Sequence, residues 1–598
     1  MQRFQNCQWL TSCLFIVFVF GLFQPAHTQA HLSEKASAKL HRLFEEFWEY
    51  TLKENPLLAT SRGDLRYNDR LPEESPQAFQ RRNQANLDFM NRLREIDREQ
   101  LSPEDRLNYD LFEEQLLWEV EEFKFATYLE AVHQRSGFHL SLPQMHERVP
   151  FQTRKHYEDY LARLQAIPLL IDEQIALLKE GLKRGITPPK LVLEAVPAQI
   201  EKLVAMSIPE FPLFEPFKSF PRVFSETEQD NLKQRGQQVL EEEVVPAFGK
   251  FKRFFSGEYI PKATTEIAAS RRYPKGDNFY RFRIRRFTTT DLTAKEIHEI
   301  GLKEVARIRK RMHEIIQKTG FQGSFEEFTQ SLRTDARFYY TKPEQLLRGY
   351  RDICKRMDAA LPRLFGKLPR APYGVRPVPE YAAPQATTAY YNRPSADGTQ
   401  PGWFYANTYD LRSRPKYEME TLALHESVPG HHLQIALQQE LENVPAFRTI
   451  ARYTAFVEGW GLYAESLGKE VGFYQDPYSE FGFLSYEMWR ALRLVVDTGI
   501  HAFGWSREQA IDYMLENSAL TRTNVKNEVD RYIAWPGQAL AYKIGQLKIR
   551  ELRNRAEDAL GEAFDIRAFH DLVLSAGAIP LDVLERRVSV WIEEKQKS

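Results

Sequence analysis

Cysteine is nearly absent from this chain: 598 residues hold three, Cys7, Cys13 and Cys354. The first two fall within the first thirty residues, so a chain trimmed there keeps Cys354 alone. It can form no internal disulfide and has no thiolate set for a structural zinc site. Cys354 itself reads as a buried core thiol. An excess of one charge is also missing, with Lys+Arg at 81 against Asp+Glu at 82. No whole-molecule field draws the chain to nucleic acid or to an anionic membrane. Glycine (29) and proline (33) are too sparse for collagen-like or low-complexity sequence. What is present is 43% hydrophobic and 27% charged residues. That is too apolar for a disordered chain and too charged for a multi-span membrane protein, and the length permits a large core.

Residues 1–30 read as a secretory signal peptide. Arg3 supplies a positive start, Leu14 to Phe20 an apolar core, and Thr28-Gln29-Ala30 a loose cleavage site. The apolar run is shorter than the roughly 20 residues of a membrane span, which ranks an uncleaved anchor second. Cys13 precedes the run, so Leu10-Thr11-Ser12-Cys13 is not read as a lipidation box. Trimming removes one Arg and no acid, leaving 80 basic against 82 acidic residues, or -2. The expectation is an exported protein, periplasmic or extracellular, with no stable membrane association after cleavage.

The rest reads as mainly α. Apolar residues recur at helical spacing, as in Leu40, Leu43, Phe44 and Phe47, and in Tyr160, Leu161, Leu164 and Ile167. Pro209, Pro212 and Pro216 break the helical pattern. A second proline-rich break runs from Pro362 to Pro384. The alternation of Tyr280, Phe282 and Ile284 with arginines predicts a half-exposed strand. Thr293 and Glu296 form a capping box that opens a helix. Residues 387–392 and 403–409, joined through a turn at 395–398, predict a β-hairpin. Its exposed edge could pair with an extended peptide, with Tyr405 and Asn407 facing a cleft. Residues 31–375 read as an N-terminal helical region and 376–598 as a metal-binding catalytic region, the two intertwined as one unit.

The strongest motif is His425-Glu426-Ser427-Val428-Pro429-Gly430-His431-His432. Neutral imidazoles ligate zinc, and a neighbouring glutamate can polarise a bound water. The usual pattern, H-E-x-x-H on one helix face, fails here because position 429 is Pro. On a straight helix His425 and His431 would stand about 120° apart in azimuth. His425 and His432 would share a face but lie about 10 Å apart. Pro429-Gly430 can break the helix and return His431 to the ion, with His432 the lesser alternative. Pro415 suits the first turn of a helix leading into the site. Downstream, Glu458 and Glu465 stand seven apart among Phe456, Val457, Trp460, Leu462 and Tyr463. A carboxylate in such company needs a partner or a metal. Glu458 is therefore the third ligand candidate, and Glu465 a group that could orient a histidine.

The motif HESVPGHHLQ, with EGWGLYAE downstream and DRYIAWPGQALAYKIG near the end, looks like the bacterial "domain of unknown function 885" family. That family resembles helical zinc metallopeptidases of the gluzincin type, such as thimet oligopeptidase and angiotensin-converting enzyme. The resemblance implies a large two-lobed helical fold with a deep cleft and a small sheet near the zinc helix. It implies one Zn2+ per chain on His425, His431 and Glu458, with Glu426 as general base. Tyr542 loosely matches a C-terminal tyrosine region of thimet-type enzymes as an oxyanion donor, with Tyr532 as its rival. Arg531, in the same segment, is a substrate-binding candidate. The implied activity is hydrolysis of short peptides. The alternatives are a non-catalytic helical binding protein with a degenerate zinc site, or a hydrolase of a non-peptide amide. Oligomeric state cannot be read from the chain.

Overall fold

The computed structural model describes residues 26–380, 383, 386–395, 398 and 400–597. Residues 1–25, which hold most of the signal-peptide reading, lie outside this set. The architecture is mainly α-helical, with one small three-stranded sheet among the described residues. No helix among them is long and apolar enough to cross a membrane.

Two large apolar cores organise the chain. One joins its two ends: Leu40, Phe44 and Phe112 share a core with Ile308, Trp460, Val495 and Leu584. The N-terminal helices therefore pack with the helices downstream of residue 376 instead of forming a separate body. The second core is local to residues 132–263 and centres on Tyr160, Ile171, Phe211 and Phe248. Pro209, Pro212 and Pro216 lie in the short 3-10 turns Ile208–Glu210 and Pro212–Phe217 of this region.

The strand expected over residues 280–285 is a helix, Gly276–Thr288. Its buried positions are Gly276, Phe279, Tyr280, Phe282, Arg283, Ile284 and Thr288, a stripe of helical period. Arg283 should face solvent if the segment were a strand. It is buried instead, stacking on Phe287 at 4.6 Å and bonding Glu122 at 2.9 Å. Arginine stems cover apolar surface readily, so the polar-apolar alternation was not a true two-residue period. The capping box at Thr293 and Glu296 is formed, opening the helix Ala294–Lys318.

The hairpin is present as β2 (Ala389–Asn392) antiparallel to β3 (Gly402–Ala406). A further strand, β1 (Tyr373–Pro377), lies parallel to β3, giving the order β1-β3-β2. β3 is therefore central, and β2 is the edge next to the helix that carries the motif. Lys416–Glu418 forms a 3-10 turn capped by Pro415, and the helix Met419–Glu426 follows.

Candidate metal centre and cleft

The helix Met419–Glu426 stops one residue after His425. Ser427 (φ -101°, ψ -118°) leaves helical geometry, the Val428–Pro429 peptide is cis, and a new helix, His431–Gln439, starts directly after Gly430. Only glycine fits position 430, because a Cβ there would lie 2.0 Å from the carbonyl oxygen of His425. The turn is tied from outside: Trp460 Nε1 donates to the Pro429 carbonyl at 2.9 Å. The helix Thr454–Leu467, which carries Trp460, also carries Glu458 and Glu465. It approaches His425 so closely at Gly461 that a Cβ would meet the imidazole Cε1 at 2.8 Å.

This broken helix brings His425, His431 and Glu458 together. One ligand atom from each lies within 4.8 Å of the others. His425 Nε2 is 3.8 Å and His431 Nε2 3.5 Å from Glu458 Oε2. Ligands at roughly 2.0–2.2 Å from one tetrahedral zinc ion would stand about 3.4 Å apart, so the spacing fits such an ion. Glu465 Oε1 accepts from His425 Nδ1 at 2.8 Å, which orients the ring with Nε2 towards Glu458. His431 Nδ1 has no hydrogen-bond partner among the described residues. His432 takes no part. Its Nδ1 accepts from Tyr391 Oη at 2.8 Å and its Nε2 donates to the Ala371 carbonyl at 3.1 Å.

The electrostatics point the same way. Burial opposes a charge on His425, but Glu458 and Glu465 outweigh it and raise its pKa to about 10. Burial also opposes ionised Glu458, yet His425 and His431 hold its pKa well below the usual carboxylate range. Three carboxylates, those of Glu426, Glu458 and Glu465, thus surround two imidazoles in a buried place that favours positive charge. The donor set and its burial suit zinc.

His425, Glu426, His431 and Glu458 line a cleft of about 850 Å³. Its other borders come from the region around the second core, including Gln134, His139 and Gln199, and from Trp535, Gln538 and Tyr542. Tyr542 is half-buried there, receives Arg531 Nη2 at 3.4 Å and lies under the Arg493 guanidinium at 4.4 Å. Arg531 also lines the cleft.

Three expected site residues lie elsewhere. Tyr532 is 1% exposed and off the cleft wall, and its hydroxyl accepts from Trp489 Nε1 and Arg493 Nε. Tyr405 is buried on the central strand, stacked on Tyr390 at 4.6 Å. Asn407 is buried with its amide donating to the carbonyls of Ala383, Ala386 and Thr387. The sheet residues that do border the cleft are Ala389, Tyr390 and Tyr391, with Thr387 and Thr388 just before them, because β2 and not β3 is the edge. The sequence reading missed Tyr486, Trp489, Arg490 and Arg493, on one face of the long helix Pro477–His501. A signal existed: charged residues interrupting an otherwise apolar helical run are seldom structural filler.

Residues 56–588 match the family described as bacterial protein of unknown function (DUF885). The chain belongs to this family. A crystal structure described as a "putative lipoprotein" from Colwellia psychrerythraea is 30% identical, with a TM-score of 0.88, over 94% of this chain and 99% of that one. A second solved structure, of a "putative lipoprotein of unknown function" from Shewanella oneidensis, is 17% identical with a TM-score of 0.70, over 92% of this chain and 99% of that one. The second likeness is one of fold. No curated protein matches.

Proposed function

We propose that this DUF885 protein is an exported zinc-dependent hydrolase that cleaves peptide bonds of short peptides. The reading is carried by one observation: His425, His431 and Glu458 converge on a cleft wall that Glu426 also lines. Zinc held there would supply a Lewis acid and a water whose pKa falls towards about 7. Glu426 would take that water's proton and later pass it to the leaving amine. Glu465 holds the His425 ring in place through Nδ1. The Tyr542 hydroxyl is the candidate donor to oxygen charge developing on the carbonyl. The likeness of the motif to gluzincin-type metallopeptidases supports the same roles, and the cleft volume suits a short peptide segment. Export is supported by the leader-like residues 1–30 and by the lipoprotein descriptions of the two neighbours.

The test pairs metal analysis with mass spectrometry of a mixed peptide pool. One zinc per chain, hydrolysis lost with chelator and hydrolysis lost in Glu426→Gln with metal retained are the expected results. Zinc without turnover of any peptide would contradict the peptidase and leave a binding protein or a hydrolase of another amide.

A further inference from the structure

Charged side chains lining the cleft number seven basic and three acidic, and two of the acids, Glu426 and Glu458, belong to the metal cluster. The third, Glu528, serves several arginines. Arg493 Nη2 and Arg531 Nη1 each lie 3.2 Å from its Oε2. Burial opposes its ionisation, yet Arg531, Arg493 and Arg135 hold its pKa at about 2. One helical turn before Arg493, Arg490 faces the same way. Both are buried, at 5% and 2% exposure, and both stack on Trp489, at 4.9 and 4.6 Å. Arg490 Nη2 is 3.5 Å from Glu465 Oε1, the atom that also holds His425. This ties the arginine cluster to the metal cluster. Arg490 Nε and Arg493 Nη1 have no hydrogen-bond partner among the described residues. Buried guanidinium N–H groups without acceptors are destabilising, and an anion entering the cleft would satisfy them.

We propose that Arg490, Arg493 and Arg531 form a substrate subsite that binds a carboxylate in the same cleft as His425, His431 and Glu458. The inference deepens the peptidase reading and rests on it for the nature of the substrate. A planar carboxylate matches the guanidinium fork, and two or three such forks around one pocket favour it over a neutral amide. A peptide brings this group in two ways, as its C-terminus or as an Asp or Glu side chain. A C-terminus held there would set the cleaved bond by its distance from the chain end and not by local sequence. Tyr542, touched by both Arg531 and Arg493, would link an occupied subsite to the reacting carbonyl.

The test measures retention of N-acetylated tetrapeptide pools by the zinc-loaded Glu426→Gln protein, using ultrafiltration and mass spectrometry. The first pool has free C-termini and no Asp or Glu. The second has the same sequences amidated. The third is amidated and contains Asp or Glu. At least tenfold greater retention of the first pool over the second supports the subsite with the C-terminus as source. The same excess for the third pool alone supports it with an acidic side chain as source. Equal retention of all three pools, or retention of none, overturns it. In Arg490→Gln the excess should disappear while the variant keeps its helical circular dichroism and still loads one zinc per chain when zinc is in excess, and an excess that persists in the folded variant removes Arg490 from the subsite. The assay needs no turnover. Selective retention by a protein that cleaves nothing would refute the hydrolase and keep the subsite. Equal kcat/KM on acids and amides would keep the hydrolase and refute the subsite.

Discussion

At one part of the cleft the carboxylates of Glu426, Glu458 and Glu465 surround two imidazoles. At another, the guanidiniums of Arg490, Arg493 and Arg531 gather, with Glu528 beside Arg493 and Arg531 and Glu465 beside Arg490. The first arrangement is short of a cation and the second short of an anion. Both are buried, so neither imbalance is screened as it would be at the surface. Arg490 near Glu465 keeps them from being independent. Charge separated this way inside a fold is costly, and ligands of opposite sign relieve both halves.

The largest expected effect concerns the acidic half. Glu426→Gln should lower kcat by about 10²–10⁴ while zinc stays at one per chain, the range for removing a general base. Next is the basic half: Glu528→Gln leaves buried arginines without their acid and should cost about 3–5 kcal/mol in chemical denaturation. The pH dependence carries a definite sign. The folded pKa of Glu528, about 2, lies below the unfolded value of about 4.3. Its contribution is therefore complete above the unfolded value and lost as pH falls from there towards 2. Acid titration of stability should show this loss in the parent and not in Glu528→Gln. A smaller effect is expected at the link between the halves. Glu465→Gln should weaken zinc binding about 10–100-fold in a competition assay, because it holds His425 without touching the ion. Smallest of all, His432→Gln should leave zinc stoichiometry unchanged, since both ring nitrogens are taken up by Tyr391 and the Ala371 carbonyl. Loss of the metal in that variant would break the assignment of His431.

The donor types were legible in the sequence because histidine and glutamate are rare in such density, and because Glu458 and Glu465 sit among apolar residues that have no other use for a charge. The helical class was legible from spacing. The choice between His431 and His432 was not. It depends on the backbone path through Ser427, Pro429 and Gly430, where a Cβ would strike the preceding turn. Tyr405 and Asn407 went to the wrong face because β1 pairs with β3 and makes it central. The segment of β1 lies in a proline-rich stretch without clear alternation, so this pairing left no local sign. The arginine cluster left a sign, in Glu487, Arg490, Arg493 and Asp497 breaking an apolar helix. Which of these face a cleft is set by tertiary packing: Glu487 pairs with Lys543 and Asp497 with Tyr280.

Anomalous diffraction at the zinc edge, from crystals of protein supplied with zinc, tests the central claim most directly. The account predicts one peak at bonding distance from His425 Nε2, His431 Nε2 and the Glu458 carboxylate. No peak there, or one seated on His432, would contradict it.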